Sequence, residues 1–451
     1  MITTLTIKTG RNIVPQAVIA AIGITILAAG CFSPWAGNGN ITISLDSGPR
    51  QADGRYIVDW EWEAAEFEHE ITLRGPGGVI TKTLGKGVTT AVIEAVPGKW
   101  SIDVRAYGER IEDFMYYPYP QWNSVPFPER MLRALGINSD VEVTAGNNTN
   151  VPLRMTTATL AADFAQLLYI IDRADPYGGE EIIVLDNNME FTSNLQIGRM
   201  EDEGPLYISA TQRITLMADR DIRITRGVDC RGNLIQIVNY SILKLGKPGM
   251  AGTITFDGCK YEERFGSSLI LVDGGSLEMN SGVTLANNYN LETNMRGGAV
   301  TIQNSSSFYM NGGEITNNVS EAYNGGGGIC VSDGLLEISG DAVISHNIAP
   351  NGGGINVNFG TFILRGGTIK SNHAQNEGGG VYLSYDANFI KEKGGVIYGF
   401  DEGENTNTVG GSWNAIAFNE RGEAKGRNKT VRPDEEYDGE ESLENPFWEL
   451  P

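Results

Sequence analysis

Few side chains in this sequence have the types and spacing that chemistry needs. The acidic pair that comes nearest is Asp273 and Asp333, which occupy the same turn of alternate repeat units. Stacked on a parallel sheet with ~4.8 Å between rungs, their carboxylates would stand about 10 Å apart. That suits an inverting acid–base pair only marginally. The unit between them offers Asn304 and the next offers Phe359, so the acidic line is not continued, and Asp is in any case common at turns. The three histidines, His69, His346 and His373, are far apart, and the last two stand on turns where other units carry Asn. His-x-x-x-His, paired Cys-x-x-Cys and Gly-x-Ser-x-Gly are all absent from the sequence, as is the calcium nonapeptide. The Gly runs are not followed by Lys-Ser or Lys-Thr and do not open a helix, so they do not make a phosphate cradle. The expectation is a non-enzymatic chain with no cofactor and no metal.

Four asparagines have a different spacing signature. The strings GVTLANN, GGEITNN, DAVISHN and GGTIKSN align and place Asn288, Asn318, Asn347 and Asn372 at one point of successive units, with steps of 30, 29 and 25. A short amide at an inward corner can satisfy backbone groups and bond the amides above and below it. The four are therefore read as a structural ladder. Soon after each comes a Gly run, in RGGAVTI, GGGGICV, NGGGINV and EGGGVYL, read as permitting a sharp bend before a strand. In those strands Val300, Ile329, Ile355 and Val381 align, as do Ile302, Val331, Val357 and Leu383. A third set is Leu277, Phe308, Leu336, Phe362 and Phe389. Three short apolar strands per period of 25 to 30 predict a right-handed parallel β-helix over residues 179–430. Between the inward residues, Thr301, Cys330, Asn356 and Tyr382 should face outward on a flat sheet able to take an extended polymer.

Upstream of the solenoid the pattern changes twice. Residues 40–155 alternate apolar and polar in short stretches: Ile41–Leu45, Tyr56–Trp62, Glu70–Leu73, Trp100–Ala106 and Val141–Thr144. They predict a small antiparallel β-sandwich. Inside it, Phe114–Trp122 crowds aromatics among prolines that forbid a central strand. Tyr116, Tyr117, Tyr119 and Trp122 could stack on sugar rings or insert into a partner surface, or pack on their own domain as a crossover. Leu160–Ile171 carries apolar residues at helical spacing, so residues 156–178 are read as a helix capping the open end of the solenoid. The fold class is all-β with that one helix. An acidic tail, 431–451, closes the chain.

Composition bears on partners and location. Glycine is 58 of 451 residues, against roughly 7% in average proteins, and proline is only 17, which favours a turn-rich β protein over disorder. With 34 basic and 56 acidic residues the net charge is −22, which disfavours nucleic acid and anionic lipid headgroups as partners. Cys230 and Cys259 lie about one coil apart, either as a disulfide between neighbouring rungs or as two small unpaired core residues; Cys330 has no evident partner. At the N-terminus Lys8 and Arg11 precede an apolar stretch, Ile13 to Ala29, that closes in Leu27-Ala28-Ala29-Gly30-Cys31. This resembles a bacterial lipobox, with residues 1–30 removed, Cys31 lipidated and 31–39 a linker. Ala28 stands where Leu is usual, a relaxation seen in spirochaetal lipoproteins.

The units GGEITNN…NGGGGICV and GGTIKSNHAQNEGGGVYL resemble repeats of large spirochaetal surface lipoproteins. They are also similar to the repeats of chlamydial polymorphic outer-membrane proteins. The strings VPGKWSIDVRAYG and VTAGNNTNVPLRM look like the closing strands of transthyretin-like or immunoglobulin-like surface modules. The resemblance implies a pectin-lyase-like β-helix, display at the outer membrane or cell surface on a lipid anchor, with the periplasmic face as an alternative, and adhesion to a glycan or a surface protein. The same fold also hosts polysaccharide lyases and hydrolases, which keeps a carbohydrate-active enzyme as the competing expectation.

Overall fold

The computed structural model describes residues 6–9, 12–15, 38–46, 67–109, 130–174, 179–200, 209–293, 296–410, 412–413, 416–420, 423–427 and 430–436. Cys31, the stretch 56–62 and the aromatic segment 114–122 lie outside the described residues. Near the N-terminus, Thr6–Thr9 and Asn12–Pro15 pair antiparallel.

The first domain is two facing sheets. One has Gly39–Asp46 at its centre, antiparallel to Thr90–Ala95 and parallel to Asn148–Arg154. The other runs Gly78–Leu84, Glu68–Gly75, Gly98–Glu109 and Arg130–Val143, antiparallel throughout. Strict alternation decides which side chains enter, as in Thr90–Ala95, where Ala91, Ile93 and Ala95 are buried and their neighbours exposed. Ile41, Ile43, Ile71, Leu73, Ile102 and Val104 fill the space between the sheets with Trp100, whose Nε1 donates to Val96 O at 2.9 Å. Among the described residues the one departure from an antiparallel sandwich is the parallel pairing of Gly39–Asp46 with Asn148–Arg154.

The second domain is a parallel β-helix. Its middle sheet stacks eight strands in chain order, from Met189–Phe191 and Ile222–Arg226 to Thr368–Lys370 and Val396–Ile397. The flanking sheets stack likewise, and the register confirms the aligned apolar lines. Val300 pairs with Ile329, Ile329 with Ile355 and Ile355 with Val381. Leu277, Phe308, Leu336, Phe362 and Phe389 follow one another in the same way. All are within 2% of full burial, and each such side chain removed from water contributes roughly 1.5–3 kcal/mol.

Both ends of this core are closed. Phe164–Arg173 is a helix whose N-cap, Asp163, accepts from Gln166 N, while the Gln166 side chain accepts from Ala162 N. Phe164 stacks on Phe191 with ring centroids 4.4 Å apart, and Gln212 Nε2 donates to Ile171 O, satisfying a terminal carbonyl. Residues 156–161, expected within this helix, form instead the strand Thr156–Ala161. Three β-branched threonines favour the extended chain, and the helix cannot begin before its cap at Asp163. At the far end Lys391 takes the place that Leu364 holds one rung below. Its Nζ donates to Glu392 O and Glu435 O. Val431 bridges to Ile397 and is fully buried. Residues 430–436 thus close the solenoid, so the segment expected to be a solvated tail from 431 begins as part of the body.

The strand Thr156–Ala161 joins the two domains. It pairs antiparallel with Arg130–Val143 of the sandwich and parallel with Glu181–Leu185, the first strand of the solenoid. Beside it Leu132, Leu135, Ala158, Ile182, Val184 and Met217 form a small buried cluster. Arg105 of the sandwich pairs with both Asp103 and Asp219, the latter on the solenoid.

Candidate functional site

The asparagine ladder is continuous. The Oδ1 of Asn318, Asn347 and Asn372 accepts from the backbone N of Asn288, Asn318 and Asn347 in turn, each at 3.0 Å. Asn407 extends the ladder by one rung, accepting from Asn372 N at 2.9 Å. At the other end Asn288 Oδ1 accepts from Nη2 of Arg226, whose guanidinium is fully buried and also reaches the carbonyls of Cys230, Gly232 and Ser267. The residue before each amide, Asn287, Asn317, His346 and Ser371, has φ of 55°, 58°, 56° and 54°. This left-handed position tolerates Asn and His better than most side chains, which explains the doubled asparagines and the histidine among them. All of these polar residues hold the coil together.

Thr301, Cys330, Asn356 and Tyr382 do follow one another up the third sheet, away from the core. They are not exposed: the first three are wholly buried and Tyr382 is 8% exposed. The Gly-rich stretch before each strand folds back and lies on that strand's outer side. A Cβ at Gly326 would overlap Ile329 O and crowd Asn356 N, so the run is glycine for close approach more than for bending. Gly297 N donates to Thr301 Oγ1, and Cys330 Sγ and Asn358 Nδ2 both point to Asn324 O. These four outward positions are covered by their own chain and offer no surface to a polymer.

The cysteines are also settled by burial. Cys230, Cys259 and Cys330 are free and buried, so Cys230 and Cys259 form no disulfide. Cys259 Sγ instead faces Asp257 O. Burial pushes the Cys330 thiol up to about 12. Asp273 and Asp333 stand at corners of alternate rungs, one residue out of register because Asp273 pairs with Gln303, and each serves the turn between them. Asp273 accepts from Asn304 Nδ2 and Asp333 from Ser305 N, pinning two consecutive left-handed residues, Asn304 and Ser305.

The middle sheet is one of the open surfaces. Arg223, Thr255, Thr284, Glu314, Val343 and Thr368 pair one above another along its outer side. Beside this row is a shallow depression of about 320 Å³, lined by Thr253, Thr284, Glu314, Asp341 and Val343 over Gly282 and Gly313. Gly282 and Gly313 make its floor, and at the adjoining Gly312 a Cβ would overlap Asp341 Oδ1 and Ser281 Oγ, which hydrogen-bond at 2.7 Å across that intervening rung. Glu314 Oε1 accepts from Ser345 Oγ at 3.1 Å. The remaining lone pairs of both carboxylates make the depression an acceptor of hydroxyls or cations. The sequence strings contained Glu314 and Asp341; their signal was an acidic residue in the outward slot of GGEITNN and one in place of the first glycine in DAVISHN.

Among the described residues no group of three or more His, Cys, Asp or Glu side chains could hold a metal ion. Comparisons of the chain with protein families, with curated proteins and with solved structures find no match.

Proposed function

We propose that this chain is a lipid-anchored surface or periplasmic protein whose β-helix binds an extended neutral or cationic polymer, a glycan foremost, along its middle sheet. The observation that carries the reading is the in-register row from Arg223 to Thr368 beside a glycine-floored depression rimmed by Glu314 and Asp341. Such a surface repeats at the strand spacing of about 4.8 Å and can meet a polymer residue by residue. Hydroxyl donors of a sugar match its carboxylate and threonine acceptors, and an acidic chain of −22 repels anionic polymers. The anchor rests on the lipobox-like Leu27–Cys31 string. No helix among the described residues is long and apolar enough to cross a membrane.

Glycan arrays carrying neutral, amino and acidic polysaccharides, followed by calorimetry on the bound class, test the surface. Glu314→Lys and Asp341→Lys should each weaken binding at least tenfold, and unchanged affinity in both overturns the assignment. Incorporation of labelled palmitate tests the anchor, since Cys31→Ala must abolish it. A second reading, glycoside cleavage, is favoured by one observation: Glu314 and Asp341 share the same depression, as an acid and base would. Release of reducing ends that disappears in both Glu314→Gln and Asp341→Asn would establish it in place of simple binding.

A further inference from the structure

One sheet of the sandwich ends in a strand that uses its pairing groups on one side. Gly78–Leu84 is made of Val, Ile, Thr and Leu around a single Lys, and among the described residues it pairs with Glu68–Gly75 alone. That pairing runs through seven consecutive positions, from Gly75 with Gly78 to His69 with Leu84, without a shift in register. Ile80 and Leu84 pack on the core of the sandwich, so alternation puts Lys82 on that inner side and Val79, Thr81 and Thr83 on the outer one. Five of the seven residues are exposed, Val79 at 64%. Val88 on the following turn and Val92 on Thr90–Ala95 are 44% and 54% exposed. Three of the ten large apolar side chains exposed among the described residues thus stand along this edge. Proteins ordinarily blunt such an edge with proline, a bulge or a charge beside the backbone. This strand has neither proline nor bulge. Its one charge is drawn across the gap between the sheets, where Lys82 Nζ donates to Val92 O at 3.0 Å.

We infer that Gly78–Leu84 pairs antiparallel with the same strand of a second copy of this chain, about a twofold axis at Thr81, joining the two sandwiches edge to edge. A strand turned about its own central residue offers its free N–H and C=O groups to an identical set, and the twofold axis closes the assembly at two copies. That register sets Val79 against Thr83 twice, a β-branched pair on the outer face. It sets Ile80 against Lys82 twice, so no like charges stand directly opposite. The exposed strand is therefore complementary to itself. One strand a side is a small contact, so the association belongs with the weak interfaces that bury less than about 1,200 Å². It involves no residue of the middle sheet and stands independently of any polymer bound there.

Sedimentation velocity of the full chain over a range of concentrations tests it. The native chain should pass from monomer to dimer as concentration rises. The double variant Val79→Lys, Thr83→Lys changes two exposed side chains and sets like charges opposite each other at both outer pairs. It should stay monomeric where the native chain is at least half dimeric, and so should Val79→Glu, Thr83→Glu. Mixed in equal amounts, the two variants should restore a dimer containing one copy of each. The inference is overturned by a native chain that stays monomeric throughout, by a lysine variant that dimerises like the native chain, or by a mixture that stays monomeric. Should either double variant fail to fold, Thr81→Cys takes its place. A short bismaleimide should then join two copies through this position, and absence of that cross-linked peptide overturns the pairing.

Discussion

The guanidinium of Arg226 donates to Oδ1 of Asn288 at 3.1 Å, and this bond ends the amide ladder on its N-terminal side. Below it the coils carry no asparagine at that corner, so without Arg226 the last acceptor would face an apolar core. The same guanidinium reaches two backbone carbonyls of the widened coil that holds Cys230, and Ser267 O of the next coil. Arg226→Met leaves Asn288 Oδ1 and the Cys230 carbonyl without this buried donor, while Ser267 O keeps Asn288 Nδ2. At about 1.5–3 kcal/mol for a hydrogen bond to a charged group, partly offset by the lost desolvation of that charge, the net loss should be about 3–5 kcal/mol. Chemical denaturation measures it, and a loss below 1 kcal/mol would show the arginine to be dispensable.

Two buried asparagines should respond in opposite ways to loss of their amides. Asn347 gives Nδ2 to Ile315 O and Asn372 Oδ1 and accepts from both nitrogens of Asn318. Asn347→Leu strands several of these groups and should cost about 3–5 kcal/mol. Neither end of the Asn356 amide has a hydrogen-bond partner among the described residues, although the residue is wholly buried. Asn356→Leu should be neutral or stabilising by about 1 kcal/mol, since it removes an unpaired polar group. Melting temperatures of the two variants decide; equal destabilisation would refute the distinction.

Gly326→Ala should prevent the covering loop from seating, because its Cβ would meet backbone rather than a side chain that can turn away. The expected cost exceeds about 4 kcal/mol, the range of mutations with a definite steric cause. Gly179→Ala, where a Cβ has open space, is the control and should change stability by less than about 0.5 kcal/mol. Comparable midpoints for the two variants in urea would contradict this account of the Gly runs.

Cys330 should be inert to iodoacetamide at pH 8.5 in the folded protein and reactive once unfolded, because its thiol is buried and pushed up to about 12. Mass spectrometry of alkylated peptides reads this directly. Under oxidising conditions Cys230 and Cys259 should likewise remain as thiols, and a cross-linked peptide joining them would overturn the free assignment.

The solenoid was legible because its repeat makes one residue predict the next. Val300, Ile329, Ile355 and Val381 fall in register since every coil must return an apolar side chain to the same interior position. Asn407 escaped because the 3-10 turn Phe400–Asn405 lengthens its coil, and Arg226 because it ends the ladder without resembling it. Alternation correctly assigned Thr301 and Asn356 to the outer side of a strand. It holds no information on whether another segment lies over that side, and the glycines that signal such a segment were read as bends. Helical spacing ran through Leu160 because a strand and a helix there happen to bury the same residues, Ala161 and Phe164. The depression beside Glu314 belongs to four stacked coils together and is visible only once Thr253, Thr284, Glu314 and Asp341 are brought side by side.

The strand Thr156–Ala161 has a mechanical meaning. A tethered body joined to its anchor by a flexible linker swings freely and transmits little force. Here the sandwich and the β-helix share a strand, four residue pairs deep on the solenoid side, with an ion pair and a buried apolar cluster beside it. A load applied to the coils reaches the N-terminal domain through a hydrogen-bonded ladder, so the two move as a jointed rod whose stiffness is set at that strand.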